Sequence, residues 1–258
     1  MEPIERAFTL PSRMYWESSH YEGPEKSAIF DRYWQFVGHR SELQEGGFLN
    51  AKLGEDPIII TQDGGELRAF YNVCKHRGGP LVQGTEKSGK LAYGKFICQY
   101  HGWTYRLDGS LRGVPSFDRA ELFDKNDFGL MPVEVQDYHG LLFARKTQKP
   151  DKLPLPSFIS GLAERMPALR LQDFRFYIRV SYPVACNWKV YVDNYLEGYH
   201  IPIVHPELAK LIDYKRYVTE TFDWYNLQHA PFRGGENVYQ SEDGEAWYWF
   251  IFPNTMLN

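Results

Sequence analysis

Apolar and polar positions change rhythm several times along this chain, and each rhythm predicts a different element. From Ser27 to Val37, the residues Ile29, Phe30, Tyr33, Trp34, Phe36 and Val37 recur at helical spacing, which predicts a helix. Between about Gly46 and Lys146 the pattern becomes short strands and turns. Ile58-Ile59-Ile60, the turn Asp63-Gly64-Gly65 and a strand from Leu67 to Val73 predict a hairpin. Residues 104–107, the turn Asp108-Gly109 and Leu111 predict a second, and residues 140–144 a closing buried strand. A polar, Pro-rich join at 149–156 is the expected domain boundary. Beyond it Phe174, Phe176, Ile178, Val180 and Tyr182 alternate with polar or tyrosine positions, the pattern of a half-buried strand. Residues 187–200 predict a helix with Asn187 as N-cap and Pro202 as its end, and Pro206 is placed to open another through Ile212. Residues 218–227 and 246–252 are strand-like and rich in aromatics. No internal repeat or low-complexity segment is present.

Composition narrows the classes. The 258 residues are 43% hydrophobic and 24% charged, with a net charge of -4 and no block of lysine or arginine. Nucleic acid is therefore not an expected partner, because phosphates demand clustered cations. No apolar run approaches the ~18 residues needed to span a bilayer, and the first residues lack a signal-peptide pattern. A cytoplasmic protein with no membrane partner is the expectation. Only three cysteines occur, Cys74, Cys98 and Cys186, which argues against a disulfide framework and towards metal or redox roles.

Two constellations carry chemistry. The first is Cys74-Lys-His76-Arg-Gly78 with Cys98-Gln-Tyr100-His101-Gly102-Trp103. Each Cys/His pair sits on a loop beside a hairpin strand, and two such loops can wrap one small centre. Thiolates on one iron and imidazoles on the other give the ligand set of a Rieske centre; the same four residues also suit a structural zinc ion. Gly78, Gly79 and Gly102 let backbone amides approach the cluster sulfurs. Between the pairs, residues 84–90 resemble a phosphate-binding loop, but Leu91 stands where a magnesium-binding hydroxyl belongs, so a solvated turn is expected. The second constellation is Asp193, Glu197, His200 and His205. Helical spacing places Asp193, Glu197 and His200 on one face, and the Pro-containing turn can swing His205 towards His200. Two histidines and a carboxylate with open positions make the facial triad of iron enzymes that activate oxygen.

The Cys-x-His-Arg-Gly and Cys-x-Tyr-His-Gly-Trp halves match the signature of Rieske domains. Asn187-Trp188-Lys189, Asp193-Asn194-Tyr195, Tyr199-His200 and His205 resemble the catalytic motif of Rieske non-haem iron oxygenase large subunits, near the choline-oxygenating branch. The resemblance implies an α+β fold: an N-terminal segment, 1–40, packing on the catalytic domain; a β-rich Rieske domain, 41–148; and a helix-grip catalytic domain, 149–258. It implies a 2Fe-2S cluster on Cys74, His76, Cys98 and His101, and a mononuclear Fe(II) on His200 and His205. Glu197 stands near the family's bridging acid, with Asp193 as rival, and that bridge crosses a subunit boundary in a head-to-tail homotrimer. The family's third iron ligand is a later Asp; Asp213, Asp223 and Asp243 do not sit in its context, so the expectation is a C-terminally truncated domain or a carboxylate from elsewhere. The implied activity is O2-dependent hydroxylation of a small organic substrate, an aromatic or a quaternary ammonium compound. No Gly-x-Gly-x-x-Gly occurs, so a separate ferredoxin or NAD(P)H-dependent reductase must bring electrons. Trp224, Tyr225, Trp247, Tyr248 and Trp249 offer either a cage for a cation or a plain sheet core. The competing class is a Rieske electron carrier with a vestigial catalytic half.

Overall fold

A computed structural model describes residues 8–83, 88–117, 120–146, 154–165, 170–233 and 244–258. The phosphate-loop look-alike and the Pro-rich join fall largely outside them, as does Asp243. The chain separates into two compact units, Phe30–Arg179 and Met1–Ile29 with Val180–Asn258. The divisions thus lie near 30 and 180, where the sequence suggested 41 and 149. Among the described residues no helix is long and apolar enough to cross a membrane.

The first unit is β-rich. A seven-stranded antiparallel sheet runs in the order β1-β10-β9-β4-β3-β2-β5, and a three-stranded sheet in the order β6-β7-β8. The strands are β1 Gln35–His39, β2 Gly47–Leu53, β3 Asp56–Asp63, β4 Glu66–Tyr71, β5 Ser88–Lys90, β6 Lys95–Ile97, β7 Thr104–Arg106, β8 Leu111–Gly113, β9 Pro132–Tyr138 and β10 Leu141–Arg145. Both expected hairpins form. Gly64 and Gly65, at φ 59° and 80°, make the two-residue turn between β3 and β4, a conformation glycine takes without Cβ strain. The continuous run Ile58-Ile59-Ile60 is buried because both faces of β3 are covered. Ile59 joins one core with Phe70, Phe96 and Trp103, while Ile58 and Ile60 join another with Leu49, Val133 and Leu142. Cys74 and Cys98 belong to the first of these cores.

Two sequence expectations change here. The helix expected over 27–37 ends at Phe30, and Gln35–His39 is instead β1, paired with β10. Aromatic and β-branched residues at 33–37 suit a pleated surface as well as a helix face. The alternating segment at 174–182 pairs with no strand among the described residues, and its apolar side chains stand open: Ile178 is 66% and Tyr182 81% exposed. Alternation supplies a strand's pattern, but a strand also needs a ladder partner.

In the second unit, β11 Val218–Thr221, β12 Tyr225–Pro231, β13 Glu245–Ile251 and β14 Thr255–Leu257 form a four-stranded antiparallel sheet. Ala230 and Ala246 on one face, small enough to admit close packing, meet Ile201, Leu208 and Ala209 from the short helices and Ile212 just after them. The helix Trp188–Tyr195 begins as expected, with Asn187 Oδ1 accepting the Lys189 amide at 3.1 Å. It ends at Tyr195, five residues before His200. Pro202 therefore does not stop it; Pro202 lies in the first turn of a separate helix, Ile201–Val204, and Pro206 opens Pro206–Leu211.

Candidate metal centres

The two cluster loops are near copies of one another. Cys74 N–H donates to Gly79 O and Gly78 N–H to Cys74 O, at 2.8 and 2.9 Å; Cys98 N–H donates to Trp103 O and Gly102 N–H to Cys98 O at the same two distances. Gly78 and Gly102 both take φ 72°. Each loop thus folds back at a glycine, presenting its cysteine inward and its histidine outward. Cys74 and Cys98 are buried, His76 half-buried and His101 exposed. The imidazole rings meet edge to face at 4.5 Å, and His76 stacks flat on Trp103 at 4.9 Å. Burial raises the Cys74 thiol above its usual pKa, and the nearby Cys98 adds to this. Desolvation, with His101 and Arg77 close by, lowers that of His76.

The second site forms at a turn. Glu197 Oε1 lies 2.6 Å from His200 Nδ1, and its other oxygen accepts the backbone amides of Tyr199 and His200. These bonds cap the turn before His200 and explain why the preceding helix stops short: the carboxylate satisfies amides that a continuing helix would have bonded. The expected shared helix face is therefore replaced by a turn that places Glu197 against His200. The rings of His200 and His205 lie 5.2 Å apart. Asp193 remains on the helix, where its carboxylate accepts the Tyr15 hydroxyl at 2.5 Å. Beside the histidines is a 180 Å³ cavity lined by Glu197, His200, His205, Tyr195, Tyr217 and Tyr248, among others. Tyr217 donates to Gln228 Oε1 at 2.9 Å, and Gln228 donates to Tyr195 O at 2.6 Å. Burial and neighbouring phenols push Tyr195 and Tyr217 well above the usual tyrosine range, so both stay neutral.

A sequence model of the Rieske [2Fe-2S] domain matches residues 33–135, and one of the ring hydroxylating alpha subunit (catalytic domain) matches 171–258. The carnitine monooxygenase oxygenase subunit of Acinetobacter baumannii is 35% identical over 98% of this chain and 68% of its own length. This chain belongs to the Rieske non-haem iron oxygenases. The chloroplastic choline monooxygenase of Arabidopsis thaliana is 32% identical, over 99% of this chain and 63% of its own length. A solved quaternary ammonium Rieske monooxygenase, described in terms of carnitine oxidation and inter-subunit electron transfer, superposes with a TM-score of 0.87 at 34% identity, covering 97% of this chain and 68% of that one. Naphthalene 1,2-dioxygenase gives 0.66 at 26% identity, over 80% of this chain and 50% of that one.

A Rieske oxygenase carries a Rieske cluster and a mononuclear iron; four residues here suit the cluster, and His200 and His205 supply two ligands of the second site. Among the described residues no three His, Cys, Asp or Glu side chains are arranged around a single metal ion. A structural zinc needs four ligands round one point. A two-iron cluster needs only a thiol pair and an imidazole pair, which is what the two loops present. His76 Nδ1 is buried with no hydrogen-bond partner, an orphaned atom that an iron would satisfy. At the second site Glu197 occupies His200 Nδ1, which leaves Nε2 for a metal.

Three supporting residues escaped the sequence reading. Tyr105 places its hydroxyl 3.3 Å from Cys74 Sγ. Buried Asn72 holds the chain beyond the first loop, accepting the Leu81 and Val82 amides at 2.8 and 3.0 Å and donating to Val82 O. Tyr217 reaches the cavity from beyond the motif. Tyrosine two positions after the Gly-Trp of the second loop was the one available signal, and it carries no spacing rule of its own. Of the five aromatic residues raised as a cage, only Tyr248 lines the cavity; Trp247 stacks on His229 at 4.9 Å, and buried Trp249 packs on Tyr225 at 5.3 Å. Alternation along β13 sends 247 and 249 to the other face.

Proposed function

We propose that this chain is the oxygenase component of a monooxygenase acting on a quaternary ammonium compound, supplied with electrons from NAD(P)H by a separate ferredoxin or reductase. The observation that carries the substrate class is the cavity beside the histidine pair. Three tyrosines and one carboxylate line it, with no lysine or arginine among its lining residues. A trimethylammonium head is drawn to tyrosine faces and to a nearby negative charge, and has no hydrogen bonds to give. The relatives named for carnitine and choline support this reading. Aromatic catabolism, left open by the sequence, loses support because the higher-identity, higher-coverage relatives are named for quaternary ammonium substrates.

In this reading Cys74 and Cys98 hold one iron of the cluster and His76 and His101 the other, while His200 Nε2 and His205 hold the mononuclear iron. Bound there, the cluster passes electrons singly and the mononuclear iron activates O2. Overall, one C–H bond of the substrate, O2, NAD(P)H and a proton give one C–OH bond, water and NAD(P)+. Glu197 orients His200 by accepting a hydrogen bond from its Nδ1–H. In the head-to-tail homotrimer that the family resemblance implies, the same carboxylate would accept a second hydrogen bond from a cluster histidine of the neighbouring subunit, completing a short polar path. Exposed His101 is the ring available for that contact.

The test is single turnover. Pre-reduced, iron-loaded protein is mixed with O2 and choline, carnitine, glycine betaine or naphthalene, and products are identified by mass spectrometry. Hydroxylation of one of the ammonium compounds is expected. Turnover of naphthalene alone overturns the substrate class. Cluster reoxidation without any product would instead favour the electron-carrier reading.

A further inference from the structure

The three-stranded sheet that leads into Cys98 has one face turned inward and one turned out. Phe96, Tyr105 and Leu111 are buried in one core with Cys74 and Cys98. Alternation sends Lys95, Ile97, Thr104 and Arg106 to the other face. Lys95 lies directly opposite Arg106 in the β6–β7 register, and Ile97, opposite Thr104, is 38% exposed. Arg112 is exposed where the β7–β8 register shifts. Tyr93, just before β6, is 86% exposed and takes φ 61°. Lys95 Nζ stands 5.7 Å from the centre of the Tyr93 ring.

Two of these features cost the fold something. Like charges directly opposite each other destabilise a sheet, and a bulky residue at positive φ is strained. The neighbouring carboxylates do not cancel the charge. Glu66 pairs with Arg68. Asp108 Oδ1 accepts the Ser110 amide and hydroxyl at 2.8 and 2.6 Å, and these bonds, aided by Arg106 and Arg68 nearby, hold its pKa below the usual carboxylate range. Even with Asp108 set against them, Lys95, Arg106 and Arg112 leave this face positive. The sequence around it has the same bias: residues 67–107 hold seven lysines and arginines and a single acid, Glu86, in a chain whose net charge is -4.

We infer that this face receives the electron donor, and that the donor is an iron–sulfur protein with an acidic surface. The inference rests on the reading that a separate protein brings the electrons. Opposite charge steers such a partner and speeds its encounter, while Tyr93 and Ile97 supply apolar contact at the centre. Ile97 is bonded to Cys98, so a docked donor is one sheet layer from the cluster loop. The face shares no residue with the His101 contact assigned above to a neighbouring subunit.

Stopped-flow reduction of the cluster-loaded full chain tests this, with a reduced, acidic plant-type [2Fe-2S] ferredoxin as donor; its potential lies below that of a Rieske cluster, so one electron passes downhill. The wild-type rate constant should fall steeply with added salt. Lys95→Glu and Arg106→Glu should each slow reduction at low salt about tenfold, within the range of electrostatic steering. Each variant sets opposite charges across the β6–β7 pair, so neither should lose stability. Dithionite, which needs no docking face, should reduce both at the wild-type rate and so show the cluster intact. Wild-type ferredoxin rates in both variants would overturn the inference and leave the donor reading standing; a fall in oligomer mass by light scattering would then give the face to a second copy. An equal slowing in Lys52→Glu, the same charge change on exposed β2, would trace the effect to net charge and also overturn it. Failure of ferredoxin to reduce even the wild-type protein, where dithionite succeeds, would remove the donor reading and this inference with it.

Discussion

The Tyr105 hydroxyl accepts the Lys75 amide at 3.1 Å, which turns its proton towards Cys74 Sγ. Burial and the Cys74 sulfur hold this phenol above its usual pKa, so it remains a donor. A hydrogen bond to a ligating sulfur favours the more electron-rich, reduced cluster. Tyr105→Phe should therefore lower the midpoint potential by roughly 40 mV, the one-electron equivalent of about 1 kcal/mol. Redox titration followed by electron paramagnetic resonance measures it, and an unshifted potential would deny the bond any electronic role. Glu197→Gln keeps the shape but removes the charge and places a donor where His200 needs an acceptor. The expected result is an intact, reducible cluster with product formation in single turnover reduced ~10–100-fold, by analogy with the cost of losing a ligand-orienting partner. Wild-type cluster reoxidation and product rates would show Glu197 to be a solvated turn residue.

Gly198 shows how an element boundary sets the second site. A Cβ there would lie 2.7 Å from the Tyr217 ring. That ring is fixed through Gln228, which in turn holds the carbonyl of Tyr195. Gly198→Ala should push Tyr217 out of the cavity and cost about 1–3 kcal/mol of stability. Product formation should fall while the cluster spectrum stays unchanged; wild-type turnover would show that the turn can yield. The helix bearing Asp193 has its own anchor, for Lys189 Nζ meets Glu25 Oε1 at 2.5 Å and Trp188 Nε1 donates to Glu25 Oε2 at 2.7 Å. The side chains of Lys189 and Glu25 are 7% and 8% exposed. Glu25→Ala strands a buried cation and should cost about 3–5 kcal/mol, most of it recovered in the double variant Glu25→Leu/Lys189→Met. Thermal unfolding of the three proteins checks this, and equal melting temperatures would mean the lysine escapes to solvent. Local signals made much of this legible: the Gly64-Gly65 turn, the Asn187 cap and the two cluster half-motifs each carry their geometry in adjacent residues. What stayed hidden depends on distant partners. The 174–182 alternation could not reveal that no ladder partner stands beside it among the described residues. Nor could the spacing of Glu197 and His200 reveal that the carboxylate ends the helix.

Across the whole molecule the two centres differ in shelter. Cys74 and Cys98 are buried, though His101 is exposed, whereas at the second site His200 is half-buried and His205 exposed. Brief treatment with a mild chelator should therefore remove the mononuclear iron first. Iron analysis is expected to fall from about three to about two per chain with both sulfides retained, the count of a single two-iron cluster. Product formation should vanish and return on adding Fe(II). Loss of sulfide together with the first iron would contradict this order.

The twin loops also have a mechanical meaning. One follows β4 of the seven-stranded sheet, and the other joins β6 to β7 of the three-stranded sheet. Cys74 and Cys98 lie 24 positions apart in the chain. On the proposed ligand set, one cysteine and one histidine from each loop, the cluster would join the two sheets twice, as a pair of cross-links would. Closing a loop of that length restricts the unfolded chain by about 3 kcal/mol, on the same footing as a disulfide. The electron-transfer group is then also a rivet, and stripping it should open the 74–98 stretch to proteases before the rest of the unit gives way.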